Sequence, residues 1–571
     1  MPNIVSLDIK NFRVIQNLSW FPRDGINCLI GAGDSGKTTV LDALDFCLGA
    51  RRNIAFSDYD FFNVDTSQCI VITVALGALE DALLNIDRYG DYFAGFDPVN
   101  KKFEAEPGNG LEPVLIVRMT VEKDLEPQWR LYSKRAEERG LERNLSWEDR
   151  QAISPVRLGE HTDWHLAWRR GALFERLSEE KLGLNAGLSE AARKARSDFG
   201  QLANAELTKT LETVKQSAEG LGVATGGKVQ ALLDAGSVKF GTGAISLHGA
   251  NNVPLASLGT GSKRLLVAGM AKAATSSASI ALVDEIETGL EPHRIRSLLN
   301  ELGTKSRNIR QQVFTTTHSP VVLRELDHSQ LTILRRDREG KHIAIAPTEV
   351  AQGVLRGHSE VFLGNRVVVC EGLSEVGFIR GLDQSFCRQG ATSYETLGTV
   401  ATNAGGASSV LRPAEEFLRL GYPTAIFMDS DKPLTPEDET RFKSAGGSVF
   451  RWPSNWALED AVFQCVPPQV IVMLLEYAHS LPSGAKIDDQ IRSASNAAFG
   501  LADVKYWAET GEINQNTAAI LGLAARRGEW FKRVAPYEHV VRNILSPHWS
   551  LLDVNLTKTA TDLWKWAANV R

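Results

Sequence analysis

The chain of 571 residues has few cysteines and no CxxC pair among them. Its six cysteines are therefore predicted to be small buried apolar side chains. The chain also lacks any run of about 18 uncharged apolar residues, so no membrane-spanning helix and no membrane partner are expected. Its first residues show no charged-then-apolar secretory pattern, and the expected compartment is therefore the cytoplasm.

A strong excess of one charge is missing as well. The net charge is −6, and 43% hydrophobic with 23% charged residues is an ordinary composition for a folded protein. Any binding of nucleic acid must therefore depend on a local concentration of positive charge. No internal repeat or low-complexity segment interrupts the chain, and its length predicts two to four domains.

A strand, a glycine-rich loop and a helix follow one another near the start of the chain. The apolar strand 27–30 leads into 31–38, which reads GAGDSGKT and matches GxxxxGK[ST]. In such a loop the backbone N–H groups surround phosphates, the lysine reaches the β- and γ-phosphates, and the threonine hydroxyl binds Mg²⁺. ATP and Mg²⁺ are therefore expected, and the predicted contacts are Gly31, Gly33, Asp34, Ser35, Gly36, Lys37, Thr38 and Thr39.

A second apolar strand, 280–283, ends in two carboxylates. At the carboxyl end of a buried strand, Asp284 would support Mg²⁺ and Glu285 would polarise the attacking water. Alone, this pattern is more typical of a strand that ends in solvated acids. The segments LGTGSKR before it and TTTHSP after it favour the catalytic interpretation.

The order of these segments resembles the ABC-type ATPase heads of the SMC and RecF-like kind. In that resemblance LGTGS takes the place of the signature LSGGQ and contributes Gly261, residues 287–292 form the D-loop, and His318 is the switch histidine. The signature departs from the family at its second, third and fifth positions. Such heads hydrolyse ATP between two subunits, so the resemblance implies a homodimer or a higher homo-oligomer.

From about residue 140 to residue 225 the sequence becomes charged and is predicted to be helical. Apolar residues recur every three or four positions from Leu188 to Leu221 with one interruption, which predicts a long amphipathic helix. Two interpretations stay open. The apolar face packs inside the chain, or it forms a seam between two subunits.

After a polar, glycine-containing joint at 353–364, a second α/β pattern begins. In it two strands each end in a carboxylate and carry another shortly afterwards: Glu371 and Glu375 follow 366–370, and Asp429 and Asp431 follow 424–428. Because parallel strands end at one edge of a sheet, these carboxylates are predicted to converge. They would repel each other unless a hard divalent cation, Mg²⁺ or Mn²⁺, neutralised them.

This pair of motifs resembles the Toprim domain of topoisomerases, primases and some nucleases. An ABC head interrupted by helices and followed by such a domain resembles the overcoming-lysogenization-defect (OLD) family of nucleases, including its Gabija-type members. The resemblance covers essentially the whole chain. It implies an α/β fold with an ABC/SMC-like ATPase head at 1–355, a helical dimerisation insert at about 140–225, and a Toprim domain with a helical C-terminal part at 356–571.

The resemblance also implies roles for single residues. The metal ligands would be Glu371, Glu375, Asp429 and Asp431, with Glu459 or Asp460 at a second metal. Lys532 would lie near the scissile phosphate. For the last three residues the competing interpretation is a solvated helix face, where charged residues beside apolar positions are common.

The expected function is that of an ATP-regulated, divalent-metal-dependent DNA endonuclease in anti-phage defence. Some OLD nucleases act beside a separate UvrD-like helicase, and because this chain has one phosphate loop, such a helicase would be a separate partner. Two alternatives remain. One is a RecF-like DNA repair ATPase without nuclease activity, and the other is an ATP-gated scaffold that sequesters another effector.

Overall fold

The computed structural model describes residues 2–50, 54–159, 162–169, 172–177, 184–233, 245–274, 279–305, 311–337, 340–482 and 484–569. These residues form three β-sheets with helices packed on them, so the predicted α/β fold class is confirmed. None of the helices in these ranges is both long enough and apolar enough to span a lipid bilayer.

The strands in chain order are β1 (Asn3–Phe12), β2 (Ile15–Trp20), β3 (Ile26–Ile30), β4 (Ile70–Gly77), β5 (Phe93–Asp97), β6 (Lys102–Glu104), β7 (Glu112–Val121), β8 (Pro127–Tyr132), β9 (Val156–Leu158), β10 (Ile280–Val283), β11 (Gln312–Thr316), β12 (Leu331–Arg336), β13 (His342–Ile345), β14 (Arg366–Cys370), β15 (Thr399–Asn403), β16 (Thr424–Met428) and β17 (Ser448–Arg451).

The helices up to the last sheet are α1 (Lys37–Leu48), α2 (Ile86–Tyr89), α3 (Lys134–Glu138), α4 (Trp147–Ile153), α5 (Leu173–Arg176), α6 (Leu184–Glu206), α7 (Thr208–Gly220), α8 (Thr260–Ala273), α9 (Pro292–Glu301), α10 (Pro320–Glu325), α11 (Val350–Gly357), α12 (Leu373–Arg388), α13 (Leu411–Arg419) and α14 (Pro436–Ser444). The C-terminal helices are α15 (Leu458–Gln464), α16 (Pro468–Ser480), α17 (Ile487–Ala494), α18 (Leu501–Thr510), α19 (Gln515–Gly528), α20 (Val534–His539) and α21 (Val554–Ala567).

The first sheet is antiparallel and has the order β2-β1-β4-β7-β5-β6, with β8 paired to the second half of β7. Alternation along β1 directs Leu7 and Ile9 into a core that also holds Leu41 and Leu44 of α1. The helix that follows the phosphate loop, α1, therefore packs against this sheet.

The second sheet has the order β13-β12-β3-β11-β10-β9, and only β13 runs antiparallel to its neighbour among the described strands. Strands β3 and β10 are largely apolar, and β11 is fully buried although it contains Gln312, Thr315 and Thr316, as expected for a sheet covered on both faces. The carboxyl ends of β3, β10 and β11 lie side by side. The phosphate loop, Asp284 and the segment before His318 therefore meet at one edge.

The third sheet is parallel throughout, with the order β15-β14-β16-β17. Alternate residues of β14 enter different cores. Val367 and Val369 join a core shared with the second sheet, whereas Val368 and Cys370 face the C-terminal helices. Strands β14 and β16 are neighbours, which brings Glu371 beside Asp429 as the sequence predicts.

The predicted joint at 353–364 is helical. It contains α11 and a following 3₁₀ turn, and its Leu355 and Phe362 are fully buried in the core shared by the second and third sheets. The glycines in this segment suggested a loop, but burial of its apolar face overrides their low helix propensity. The predicted boundary at 355/356 falls within α11.

The region 140–225 is less uniform than the predicted helical insert. It contributes β9 to the second sheet, and the predicted long helix is divided at Leu207 into α6 and α7. Apolar side chains of the proposed seam stay exposed in the single chain, among them Phe199, Leu202, Val214 and Leu221. Within the described ranges, the chain does not bury these four side chains.

The prediction for the cysteines holds for four of the six. Cys28, Cys47, Cys370 and Cys465 are buried, but Cys69 is exposed and Cys387 is half-buried. Cys69 comes just before β4, where the strand has not yet entered the core, so its neighbours did not indicate its exposure.

Helix α12, which carries Glu375, crosses the C-terminal helices at two glycines. A Cβ atom on Gly377 would clash with the backbone carbonyl oxygen of Val534 in α20, and one on Gly381 would press on Val541. Only glycine allows the two backbones to approach this closely.

Gly377→Ala should therefore lower the midpoint of urea-induced unfolding, because overpacking of this kind costs about 1–3 kcal/mol. Gly269→Ala in α8 is the matched control, since nothing lies within 4 Å of its new methyl group. The control should be neutral or slightly stabilising. Equal midpoints for both variants would contradict the close crossing.

Candidate nucleotide and metal sites

The phosphate loop joins β3 to α1, and two of its glycines have backbone angles that favour glycine. Gly36 has φ +90° and Gly31 has φ +154°. A Cβ on Gly31 would also clash with the carbonyl oxygen of Leu334 in β12. The loop is therefore held against the neighbouring strand in a conformation that glycine adopts at these two positions.

Lys37, the first residue of α1, reaches back over this loop. Its Nζ donates to the carbonyl oxygens of Gly31 at 3.2 Å and Ala32 at 2.9 Å. Burial lowers the pKa of Lys37, and the carboxylates of Asp34 and Asp284 act in the opposite sense. The charged ammonium group is thus placed where the phosphates of a nucleotide would lie.

The two groups predicted to hold Mg²⁺ beside the nucleotide are close to each other. Asp284 Oδ1 accepts hydrogen bonds from Thr316 Oγ1 at 2.6 Å and from Thr38 Oγ1 at 3.4 Å. A threonine hydroxyl and an aspartate at this spacing can both reach one hydrated cation.

Glu285 and His318 are both exposed at the same edge. The backbone N–H of Glu285 donates to Thr316 Oγ1 at 2.8 Å, and its Oε2 accepts from Thr288 Oγ1 at 3.1 Å. The backbone N–H of His318 donates to Glu287 Oε1 at 2.6 Å. Both side chains are therefore open to a ligand at this edge.

The signature-like segment forms the N-terminal turn of α8. Gly261 packs directly on the turn at Gly289, whose carbonyl oxygen leaves no space for a Cβ. Arg264, one turn later, donates from Nη1 to the carbonyl oxygen of Glu285 at 2.6 Å. Burial lowers the pKa of Arg264, although the carboxylates of Glu285 and Asp284 favour its charge.

Arg157 is a charged residue of this site that the sequence analysis missed. It comes from β9 and pairs with Asp42 at 2.5 Å and Asp45 at 3.2 Å in α1, and its Nη2 lies 3.9 Å from Asp284. A three-residue strand has too little pattern to be recognised. Its partners lie more than a hundred residues away, so no local signal indicates the contact.

The second group of predicted residues lies where β14 and β16 end. The backbone N–H of Asp429 donates to Glu371 Oε2 at 3.1 Å, and the N–H of Gly372 donates to Glu375 Oε2 at 2.7 Å. Glu459 and Asp460 enter from the first turn of α15 and are buried, so they are not part of a solvated face.

The pKa values of these acids are raised, and burial is the main cause. The pKa of Glu375 rises to about 8, through burial and through repulsion by Glu459 and Glu371. Burial raises the pKa of Asp429 well above its ordinary value, and repulsion by Glu375 and Glu459 adds to the effect. The pKa values of Glu371, Glu459 and Asp460 are raised for the same main reason.

Two basic side chains belong to this crevice. Arg526 of α19 lies between Asp431, at 3.3 Å, and Asp460, at 3.4 Å. The predicted Lys532 pairs with Glu529 at 2.8 Å and is largely exposed, but Glu459 and Glu375 still help to raise its pKa. The sequence indicates Lys532 but not Arg526, since nothing local connects α19 with Asp429 and Asp431.

The donor set fits a hard cation in its chemistry. All the groups are oxygens, and Asp429 Oδ1 is buried without a hydrogen-bond partner. As the side chains stand, however, no three carboxylate, imidazole or thiol groups within the described ranges are close enough together to hold a metal ion. Rotation of the carboxylates inside the crevice would have to complete such a site.

A family model described as "AAA domain, putative AbiEii toxin, Type IV TA system" matches residues 26–324, just over half of the chain. The chain belongs to this AAA family. The match runs from β3 through α10 and therefore contains the phosphate loop, Asp284 and His318. This AAA domain is an ATPase domain.

Two curated proteins match short parts of the AAA chain. The "DNA replication and repair protein RecF" of Nitrosococcus oceani is 43% identical over 53 residues, which are 9% of this chain and 14% of that protein. The "OLD nuclease" of Thermus scotoductus is 36% identical over 72 residues, which are 12% of this chain and 13% of that protein. The matches thus span about a seventh of each relative. They agree with the two family resemblances seen in the motifs.

Among solved structures, a "Crystal structure of the SmcHead bound to the C-winged helix domain of ScpA" is similar at 16% identity and a TM-score of 0.34. The alignment covers 60% of the AAA chain and 97% of that chain.

The raised pKa of Glu375 predicts how pH affects the stability of the metal-free protein. An unfolded glutamate ionises near pH 4.5, whereas the folded carboxyl group ionises near pH 8. Between these values the folded state binds more protons than the unfolded state, so the free energy of unfolding falls as the pH rises. In EDTA, the unfolding midpoint should therefore be lower at pH 8 than at pH 5.5.

Glu375→Gln should flatten this decrease, and Mg²⁺ should restore the midpoint of the wild-type protein at pH 8. Glu509→Gln, an exposed residue of α18, is the control and should keep the wild-type pH dependence. If Glu375→Gln and wild type change in parallel, Glu375 does not carry the effect.

Proposed function

We propose that the chain is an ATP-regulated, divalent-metal-dependent DNA endonuclease of the OLD type, whose AAA domain controls a Toprim-like nuclease centre. The observation that carries the proposal is the crevice at the ends of β14 and β16. There burial raises the pKa values of Glu371, Glu375, Asp429 and Glu459, and repulsion by neighbouring carboxylates of the crevice adds to the effect. Proteins rarely bury several carboxylates together unless a cation binds them.

In the AAA domain, Lys37 and the loop N–H groups would bind the phosphates of ATP, and Thr38 with Asp284 would hold the Mg²⁺ that accompanies it. Glu285 would orient the attacking water and His318 would contact the γ-phosphate. Arg157 would keep Asp284 in place, since it already pairs with two aspartates of α1 and lies near the third. Gly261 would contact the nucleotide from a second subunit.

In the nuclease centre, Glu371, Glu375, Asp429 and Asp431 would be the metal ligands, with Glu459 or Asp460 at a second ion. Mg²⁺ or Mn²⁺ bound there supplies positive charge for the attacking and leaving oxygens of a phosphodiester. Arg526 would hold Asp431 and Asp460 in position. Lys532, exposed at the rim, would contact a phosphate of the nucleic acid.

A homodimer is part of the proposal. Exposed apolar side chains on α6 and α7, including Phe199, Leu202 and Val214, are supporting evidence, because burial against a second copy would remove them from water. DNA is the proposed substrate, a role in anti-phage defence is the proposed context, and a separate UvrD-like helicase is a candidate partner. The cytoplasm is the proposed compartment.

Glu285→Gln should lower the rate of ATP hydrolysis by about 100-fold or more, because it removes the group that acts on the attacking water. It should leave ATP binding intact. Lys37→Ala should weaken binding itself, since it removes a charge from the phosphates. Steady-state phosphate release and equilibrium binding of a fluorescent ATP analogue measure the two effects.

Lys102→Ala, on the exposed strand β6, serves as the control and should match the wild type. Unchanged hydrolysis in both Glu285→Gln and Lys37→Ala would contradict the assignment of this edge.

Asp429→Ala should abolish cutting of supercoiled plasmid, with a loss of at least about 100-fold, because it removes one ligand and its charge from the cation site. ATP hydrolysis should persist, since the substitution changes no residue of the nucleotide site at the edge of the second sheet. EDTA should reproduce the loss in the wild-type protein. Asp562→Ala, exposed on α21, is the matched control.

The short match to RecF favours one alternative, a DNA repair ATPase in which the acidic crevice does not cut. A scaffold that sequesters another effector is the second. Plasmid cutting by Asp429→Ala at the wild-type rate, or no metal-dependent cutting by the wild-type protein, would favour these alternatives.

A further inference from the structure

A cavity of about 520 Å³ lies on the far side of the phosphate-loop helix and is separate from both sites described above. Its wall includes Cys47 near the end of α1, Val117 of β7, Trp129 of β8, and Arg150 and Ile153 of α4. Cys47 is ten residues beyond Lys37, so the cavity is about 15 Å along the helix from the nucleotide loop.

One end of the cavity is positively charged. The guanidinium group of Arg150 stacks on the indole ring of Trp129, 4.1 Å from the ring centroid. Its Nη2 is buried and has no hydrogen-bond partner in the described chain. Burial lowers the pKa of Arg150, and no carboxylate is among the groups that offset this effect.

The charged groups near Arg150 already form hydrogen bonds or ion pairs with other residues. Asp149 accepts hydrogen bonds from Ser146 and Tyr89, and Arg130 at the cavity rim pairs with Glu142. Cys47 stays a neutral thiol, because burial raises its pKa to about 12. Among the described residues Arg150 is therefore a desolvated cation without a counter-charge, and burying such a group costs free energy unless an anion pairs with it.

Val117, Leu145 and Ile153 form an apolar part of the wall beside the indole ring, and Gln128, Arg130 and Asn144 add polar groups. The volume falls in the range of sites that enclose small organic ligands. Trp129 is held in place because its Nε1 donates to the carbonyl oxygen of Phe46 at 2.9 Å. The cavity thus combines one cationic group with a fixed apolar surface.

We propose that this cavity binds a small organic anion, with its phosphate or carboxylate group on Arg150 and its apolar or aromatic body against Trp129, Leu145 and Ile153. Nucleoside monophosphates and simple aryl phosphates share this chemistry. The site is distinct from the nucleotide loop and does not depend on the proposed nuclease activity.

The test is calorimetric titration of the full-length protein with AMP, phenyl phosphate or inorganic phosphate, while a non-hydrolysable ATP analogue fills the phosphate loop. AMP or phenyl phosphate should bind, and inorganic phosphate should bind more weakly because it lacks the apolar body. Arg150→Met should weaken binding by about 10- to 100-fold, the usual effect of losing a hydrogen bond to a charged group. Arg492→Met, an exposed arginine of α17 that pairs with Asp488 and does not line the cavity, is the matched control and should bind as the wild type does.

Two further measurements separate a ligand site from a structural arginine. Ligand-free Arg150→Met should unfold at the same temperature as the wild type or a higher one, because an unpaired buried charge is removed. Asn144→Asp, at an exposed position, should weaken anion binding without disturbing the core. The proposal is overturned if neither organic anion binds, if inorganic phosphate binds equally well, if Arg150→Met binds normally, or if its unfolding temperature falls.

Discussion

The apolar layer between the second and third sheets is the contact on which both candidate sites depend. Residues of β3, β10 and β11 pack there together with Val367, Val369 and Ile426, and α11 passes through the same layer. Arg335 of β12 adds polar contacts, since it donates to the carbonyl oxygen of Gly364 and stacks on Tyr422. The two sheet edges are therefore connected by one close-packed layer, and close-packed interiors transmit strain.

The parts of the fold that the sequence predicts are those with a local pattern. Strands β3 and β10 are largely apolar runs bounded by glycine or acidic residues, and the loop between β3 and α1 has a fixed motif. The approach of Glu371 to Asp429 was predictable as well, since it needs only a general rule about parallel strands. The roles of these residues, like the boundary between the two parts, stay predictions.

The unpredicted features depend on contacts between distant parts of the chain. Arg157 and Arg526 find their partners across about a hundred residues, and neither stands in a recognisable motif. The helical structure of the segment 353–364 was not indicated by its sequence, because tertiary burial outweighs its glycines. The exposure of Cys69 was not predictable either, since the neighbouring residues in the sequence do not show where a strand leaves the core.

The backbone at Glu285 is strained. With φ near +44°, this residue adopts a left-handed conformation that is unfavourable for a side chain with a Cβ. Hydrogen bonds from Arg264 and to Thr316 hold it there from two sides. Such strain costs of the order of 1 kcal/mol. A glycine at this position would make the protein more stable, but it would remove the carboxylate. Stability and the placement of the carboxylate therefore favour different residues here.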